Sequence, residues 1–236
     1  MDKNPKSVNQ FNIQKFIYIL LGISFVVIIF NSYNFIQERS PNQYSDWLIN
    51  YQGGFVRRGL AGEVLFQFYN LLKIPLDSLV LTLIIFLYSV FYFLLFKIIK
   101  KIKFNFITLL TILSPLSFLY PVMEQKISGR KDILLLAFVL IVIHFIKNFN
   151  FKNQKFFLFL VFLITTFTHS GFIFYTPYLV TIFILTNIKR NFKELTLELF
   201  WIGSFLIFIT LVILNYSSIT PNSVEMICQS IQEFLP

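Results

Sequence analysis

The chain has 236 residues, 56% of them hydrophobic and 13% charged, with a formal net charge of +9. Soluble domains carry roughly 45–50% apolar and about 25% charged residues, so a water-solvated domain is excluded and a bilayer is the solvent this composition requires. The positive balance does not indicate nucleic acid, because the basic residues fall in short clusters between apolar runs, with no basic face and no aromatic-interleaved patch.

A basic start with Lys3, Lys6 and Lys15 precedes an apolar stretch from Phe16 to Phe30. It resembles a signal peptide, yet Asn31-Ser32-Tyr33-Asn34 offers no small-x-small cleavage site, so it is read as a retained first span. The apolar runs predict spans near 13–31, 76–97, 104–122, 132–147, 156–168, 171–188 and 197–215. A hydrocarbon core of ~30 Å asks for about 20 residues per helix, and the fourth to sixth runs fall short. Phe156 to Ile188 must enter and return, which fits a hairpin stopping near the outer interface or a locally thinned bilayer. The expected fold is all-α: one polytopic membrane domain over 1–236 with about seven spans and an amphipathic helix at the outer surface within 32–75. The ending at Phe234-Leu235-Pro236, without a terminal basic cluster, also fits a truncated copy. The one cysteine, Cys228, excludes a disulfide framework and any multi-cysteine metal site.

Lysine and arginine set the orientation. Segments 1–15, 97–103, 147–155 and 189–193 hold thirteen of the 20 Lys and Arg, while 31–75 and 123–131, though longer, hold the other seven. The acids divide the opposite way, with Glu38, Asp46, Glu63, Asp77, Glu124, Asp132, Glu225 and Glu233 in the second set of loops and the tail. The positive-inside rule then places the N-terminus in the cytoplasm, and loops 31–75 and 123–131 and the C-terminus outside.

Three outer segments carry the unusual residues. The first, Asp46 to Glu63, concentrates Gly53, Gly54, Gly59 and Gly62 around Arg57 and Arg58. Paired guanidinium forks and glycine amides form a candidate diphosphate cradle; the alternative is that the arginines anchor the segment to lipid headgroups. Leu60, Val64, Leu65, Phe68, Leu71 and Leu72 then recur at helical spacing, predicting the amphipathic surface helix. Asp46 and Glu63 flank the arginines, either as a general base toward an acceptor hydroxyl or simply as arginine partners. In the second segment, Gly129-Arg130-Lys131-Asp132 stands directly before a span. There Asp132 suits the positive end of the helix dipole, and Arg130 and Lys131 are candidate ligand groups. The third, Thr165-Thr166-Phe167-Thr168-His169-Ser170-Gly171, places a histidine at a hairpin apex, where it either moves protons or holds a phosphate, or is a satisfied structural group. His144 lies on an apolar face and reads as packing, and nothing in the sequence calls for a metal or another cofactor.

Asp46-Trp47-Leu48-Ile49-Asn50-Tyr51-Gln52-Gly53-Gly54-Phe55-Val56-Arg57-Arg58-Gly59-Leu60, then Gly129 to Asp132, then His169 to Pro177 as His-x-Gly-x-x-x-x-x-Pro, resembles a group of uncharacterised membrane proteins of bacterial surface-polysaccharide clusters. The resemblance covers most of the chain. More distantly the layout is similar to O-antigen polymerases and GT-C glycosyltransferases, although those have more spans and the paired acidic motif of many GT-C members is absent. The resemblance implies the bacterial cytoplasmic membrane as location, a polyprenyl-phosphate-linked sugar or oligosaccharide as partner beside the lipid bilayer, and Asp46 as the acid in the first outer loop. On that basis the expected activity is sugar transfer to an acceptor hydroxyl with inversion. Arg57, Arg58 and Arg130 would stabilise the departing phosphate, and Asp46 or His169 would take the proton. A lipid-linked-sugar transporter or flippase subunit, or a non-catalytic remnant, stays open beside it.

Overall fold

A computed structural model describes residues 8–39, 41–102, 110, 120–123, 125–187, 192–216 and 221–232, and every regular element among them is helical. Among the described residues nine helices are eight residues or longer: α1 Val8–Glu38, α2 Pro41–Leu48, α3 Gly59–Leu72, α4 Leu76–Ile99, α5 Asp132–Phe145, α6 Phe151–Thr168, α7 Thr176–Asn187, α8 Phe192–Tyr216 and α9 Pro221–Ser230. Single turns at Tyr120–Met123 and Gln125–Ser128 precede α5, and a 3-10 segment, Ser170–Tyr175, joins α6 to α7.

Among the described residues three helices are long and apolar enough to cross a membrane: Asn12–Glu38, Leu76–Ile99 and Lys193–Ile213. Three more, Asp132–Phe145, Asn153–Thr168 and Gly171–Asn187, are apolar but shorter. Of the seven expected spans, three are helices of full length and three are the shorter ones among the described residues, while the expected span 104–122 lies outside the described residues except for Leu110 and Tyr120 to Val122. At about 1.5 Å per residue the 14 residues of α5 reach only about 21 Å.

The first helix runs further than its hydropathy indicates. Ser32 and its neighbours read as the start of a loop, yet Ser32 Oγ donates to the Ile28 carbonyl at 2.8 Å, and Phe35 and Ile36 are buried one turn on. The side chain satisfies itself within the helix, and apolar burial carries the helix to Glu38. Arg39, at φ 45°, then turns the chain out.

Two cores hold the molecule. In the first, α1, α2, α3, α4 and the start of α5 bury Ile28, Phe35, Tyr44, Trp47, Val80, Ile84 and Ile133. In the second, the end of α5 meets α6, α7 and α8 through Val142, Phe162, Phe183 and Ile213. Phe138 and Val139 touch both, so α5 is the shared wall.

Polar contacts mark the two ends of the bundle. At one end Gln14 Nε2 donates to the Lys100 carbonyl at 3.5 Å, Lys155 Nζ pairs with Glu198 at 2.5 Å, and Asn187 Nδ2 donates to Gln154 at 2.8 Å. At the other, Arg39 pairs with Asp77 at 2.6 Å, and the buried Tyr44 hydroxyl donates to the same carboxylate. Burial and that carboxylate both push the Tyr44 phenol up, which keeps it a donor. The loops richest in acids thus share the second end, from which α2, α3, the 129–132 corner and the α6–α7 turn all emerge.

Candidate anion-binding cavity at the acidic end

The cavity is assembled from α2 outward. Its eight residues place Tyr44, Trp47 and Leu48 on one buried stripe, leaving Gln43 and Asp46, three apart, together on another face. Trp47 is fully buried, and its Nε1–H donates to the Gly129 carbonyl at 2.6 Å. A side chain at Gly129 would overlap the Phe35 ring, because a Cβ there stands 2.3 Å from it. The close approach of α1, α2 and the 129–132 corner requires that glycine, and it sets Asp46 against Lys131.

The first outer loop is tied down by Glu63 rather than by its arginines. Tyr51 N–H donates to Glu63 Oε2 at 3.0 Å, and Gln67 Nε2 donates to Oε1 at 2.6 Å. Burial alone would raise the Glu63 pKa, but hydrogen bonds from Gln67, the Tyr51 amide and Gln52 outweigh it and hold the carboxyl below its usual range. Two glycines serve the chain's own close packing. A Cβ on Gly62 would fall 1.9 Å from the Ile49 carbonyl oxygen, and one on Gly53 would fall 2.1 Å from that of Ser223 on α9. Gly54, at φ 101°, makes the turn itself.

Gln43, Asp46, Arg58, Arg130, Lys131, Asp132 and His169 line a cavity of about 160 Å3. Asp46 lies between two cations, with Oδ1 3.6 Å from Arg58 Nη1 and Oδ2 3.7 Å from Lys131 Nζ. Oδ1 is itself buried and receives no hydrogen bond among the described residues. Lys131 is 1% exposed at its side chain and also donates to the Arg58 carbonyl at 3.2 Å. Burial pushes its pKa down to about 8, with Asp46 pulling upward and Arg58 pushing down. Arg130 Nε pairs with Asp132 at 2.8 Å, both nearly half exposed at the mouth. Asp132 occupies the first turn of α5, where the helix dipole favours it, without capping the helix through a side-chain hydrogen bond.

His169 ends α6, and its Nδ1 accepts the Gly171 N–H at 3.1 Å. Nε2 then carries the proton of the neutral ring and is the one ring nitrogen able to donate. Burial is the main force lowering its pKa, with Arg58 and Lys131 adding to it and Asp46 and Asp132 opposing.

Asp46, Arg58, Arg130, Lys131 and His169 are therefore brought together, although 123 positions separate the first from the last. Gly53, Gly54, Arg57 and Glu63 do not line the cavity. Gln43 was missed in the sequence; its spacing of three from Asp46 is the signal that finds it once residues 41–48 are known to be helical. No group of three or more His, Cys, Asp or Glu able to hold a metal ion occurs among the described residues.

No family model, no curated protein and no solved structure matches this chain. What the site can do therefore rests on its own chemistry. Three cations face two carboxylates, which leaves a positive excess for an anion, and Arg58 and Arg130 keep planar donors partly exposed. At about 160 Å3 the cavity is smaller than the roughly 300–1,000 Å3 of pockets that enclose whole small molecules, so a phosphate-sized head is suited to it and anything larger extends beyond the mouth.

Proposed function

We propose that this chain is a membrane glycosyltransferase or polysaccharide polymerase that uses a polyprenyl-phosphate-linked sugar on the extracytoplasmic face of a bacterial cytoplasmic membrane. The observation that carries the reading is the cavity at one end of an apolar helical bundle, lined by two arginines and a buried lysine, in which Arg58 and Lys131 flank the Asp46 carboxylate and its Oδ1 receives no hydrogen bond among the described residues. The positive-inside count supports the outer face, because Lys100 and Lys155 stand at the end opposite to the cavity. In the full arrangement about seven spans cross the membrane, the short helices α5 to α7 among them. The resemblance to surface-polysaccharide proteins supports the substrate class.

The acceptor hydroxyl oxygen attacks the anomeric carbon of the donor, the bond from that carbon to the phosphate oxygen breaks, and the acceptor proton passes to Asp46. The phosphate departs with the electron pair, and Arg58, Arg130 and Lys131 stabilise the charge that develops on it. His169 donates from Nε2 to the same oxygens and, with Nδ1 committed to Gly171, leaves the role of base to Asp46.

The test is transfer by the purified chain in lipid nanodiscs, followed with a radiolabelled polyprenyl-phosphate-linked sugar. Asp46→Asn is expected to lower the rate by about 10²–10⁴-fold, the range for loss of a positioned base, while donor binding stays within a few-fold. Wild-type chain that binds the donor without ever consuming it would overturn transferase function and leave a transporter.

A further inference from the structure

The carboxylate in the cavity is not held by close hydrogen bonds of its own. Asp46 meets Arg58 and Lys131 at 3.6 and 3.7 Å, both beyond hydrogen-bond length, and its Oδ1 receives no hydrogen bond among the described residues. Where it points is therefore set by the roll of α2 about its axis. Eight residues do not hold a helix in water on their own, so α2 takes both its existence and its roll from what it packs against. A side chain stands about 5–6 Å from a helix axis, so a roll of about 20° would carry Asp46 about 2 Å, well past the ~0.5 Å that a reacting group tolerates.

Two polar contacts on the buried stripe of α2 fix that roll. Trp47 Nε1–H donates to the Gly129 carbonyl, and three residues earlier the fully buried Tyr44 donates its hydroxyl to Asp77 Oδ1. The second contact joins three helices. Asp77 stands in the first turn of α4, and its Oδ2 accepts from Arg39 Nη2 at 2.6 Å, just past the end of α1. Arg39 holds φ at 45°, which glycine would adopt freely but without a guanidinium to offer. A non-glycine residue persists in that conformation where its surroundings over-determine it. None of Arg39, Tyr44 and Asp77 lines the cavity. Stability alone does not call for the arrangement either, since apolar groups of like volume often replace buried charged contacts without loss. The best-attested use of such contacts is to select one register.

We infer that Asp77 is a positioning residue for the cavity: through the Tyr44 hydroxyl it sets the roll of α2, and so the place at which Asp46 presents its carboxylate. This rests on the proposed role of Asp46 as the base and adds that transfer depends on a second carboxylate, outside the cavity. Arg58 stands before α3, and Arg130 and Lys131 before α5, so the anion keeps its three cations when α2 turns. The clamp acts on the chemical step and not on the binding of phosphate.

The experiment uses the full chain in lipid nanodiscs, with a radiolabelled polyprenyl-phosphate-linked sugar to read the rate and dimethylallyl phosphate to read the affinity of the cavity. Tyr44→Phe removes one hydroxyl and keeps the ring. It is expected to lower kcat by about 10–100-fold, the scale of a misplacement of about 1 Å, while dimethylallyl phosphate affinity stays within about twofold. In the Asp46→Asn background the same substitution should cost less than about twofold, because the group it positions is gone. The double variant Tyr44→Phe with Asp77→Leu replaces both partners by apolar groups. It should melt within a few degrees of the wild type yet transfer as slowly as Tyr44→Phe, and it decides the result if the single variant fails to fold. An unchanged kcat in a folded variant, an equal loss with and without the Asp46 carboxylate, or a loss of rate matched by a loss of phosphate affinity would overturn the positioning role and leave the transferase reading intact. Wild-type chain that never consumes the donor removes that reading, and this inference falls with it.

Discussion

The two cores differ in how they spend their apolar surface. In α4 39% of the spanning window is buried inside the protein, whereas in α8 only 11% is. Around α4 the contacts link segments distant in sequence and leave little freedom: Trp47 to Gly129, Gly62 to the Ile49 carbonyl, Lys131 to the Arg58 carbonyl. Around α8, Leu197, Phe200, Trp201, Phe208 and Leu211 face outward and a groove separates it from α7. A charged cavity needs side chains held in fixed positions, and the first core supplies that rigidity. The second core presents hydrocarbon to hydrocarbon, where a helix gains nothing by being sealed.

The largest contrast is expected from truncating one aromatic residue in each region. Trp47→Ala should cost about 3–5 kcal/mol, since it empties a fully buried site and strands the Gly129 carbonyl. Phe208→Ala, 59% exposed, should leave the melting temperature in detergent nearly unchanged. Similar losses in both would erase the distinction between the two cores.

Glycine substitutions give a smaller contrast of opposite sign. Gly62→Ala drives a methyl into the Ile49 carbonyl and should destabilise by about 1–3 kcal/mol, while Gly203→Ala, in open space, should be neutral or stabilise by up to about 1 kcal/mol. Thermal unfolding followed by circular dichroism reads both.

The pH dependence of the first core follows from Lys131, which faces Asp46, Arg58, Arg130, Asp132 and His169 across the cavity. Its pKa in the fold is about 8, against 10.5 when unfolded, so between those values the unfolded chain holds more protons and rising pH favours the fold. Stability of the wild type relative to Lys131→Met should therefore increase across that window, by at most about 1.4 kcal/mol per pH unit. Over the same window phosphate binding should weaken as the ammonium is lost. A difference between the two proteins that is flat with pH would contradict the buried lysine.

The smallest effect is expected at Arg57, which lies outside the cavity. Arg57→Ala should change stability by no more than about 0.5 kcal/mol and donor binding by less than about twofold, whereas Arg58→Gln should weaken binding at least about tenfold. Equal losses at the two positions would mean that the loop, not the cavity, binds the ligand.

Much of the helical plan was legible from hydropathy alone, because apolar runs of 20 residues have few alternatives to a helix in a membrane. Two helices were not. Residues 41–48 and 221–230 are short and polar, and their amphipathic stripes are visible only when the period is already known, although Pro41 and Pro221 each open a helix in the manner of a first-turn proline. At the site, charge segregation pointed to Asp46, Arg58, Arg130, Lys131 and His169, which line one cavity. The glycines were harder to read. A glycine marks close approach, but the sequence does not say whether a ligand or the chain itself approaches. For Gly53 and Gly62 it is the backbone of Ser223 and Ile49.

The central claim is that loops far apart in sequence hold one anion, and a double-mutant cycle tests it most directly. Affinity for dimethylallyl phosphate would be measured in the wild type, Arg58→Gln, Arg130→Gln and the double variant. Two arginines on one phosphate are expected to be non-additive, with a coupling energy of about 1 kcal/mol or more, while independent sites add to within about 0.3–0.5 kcal/mol. Strict additivity, or no loss in either single variant, would contradict the account.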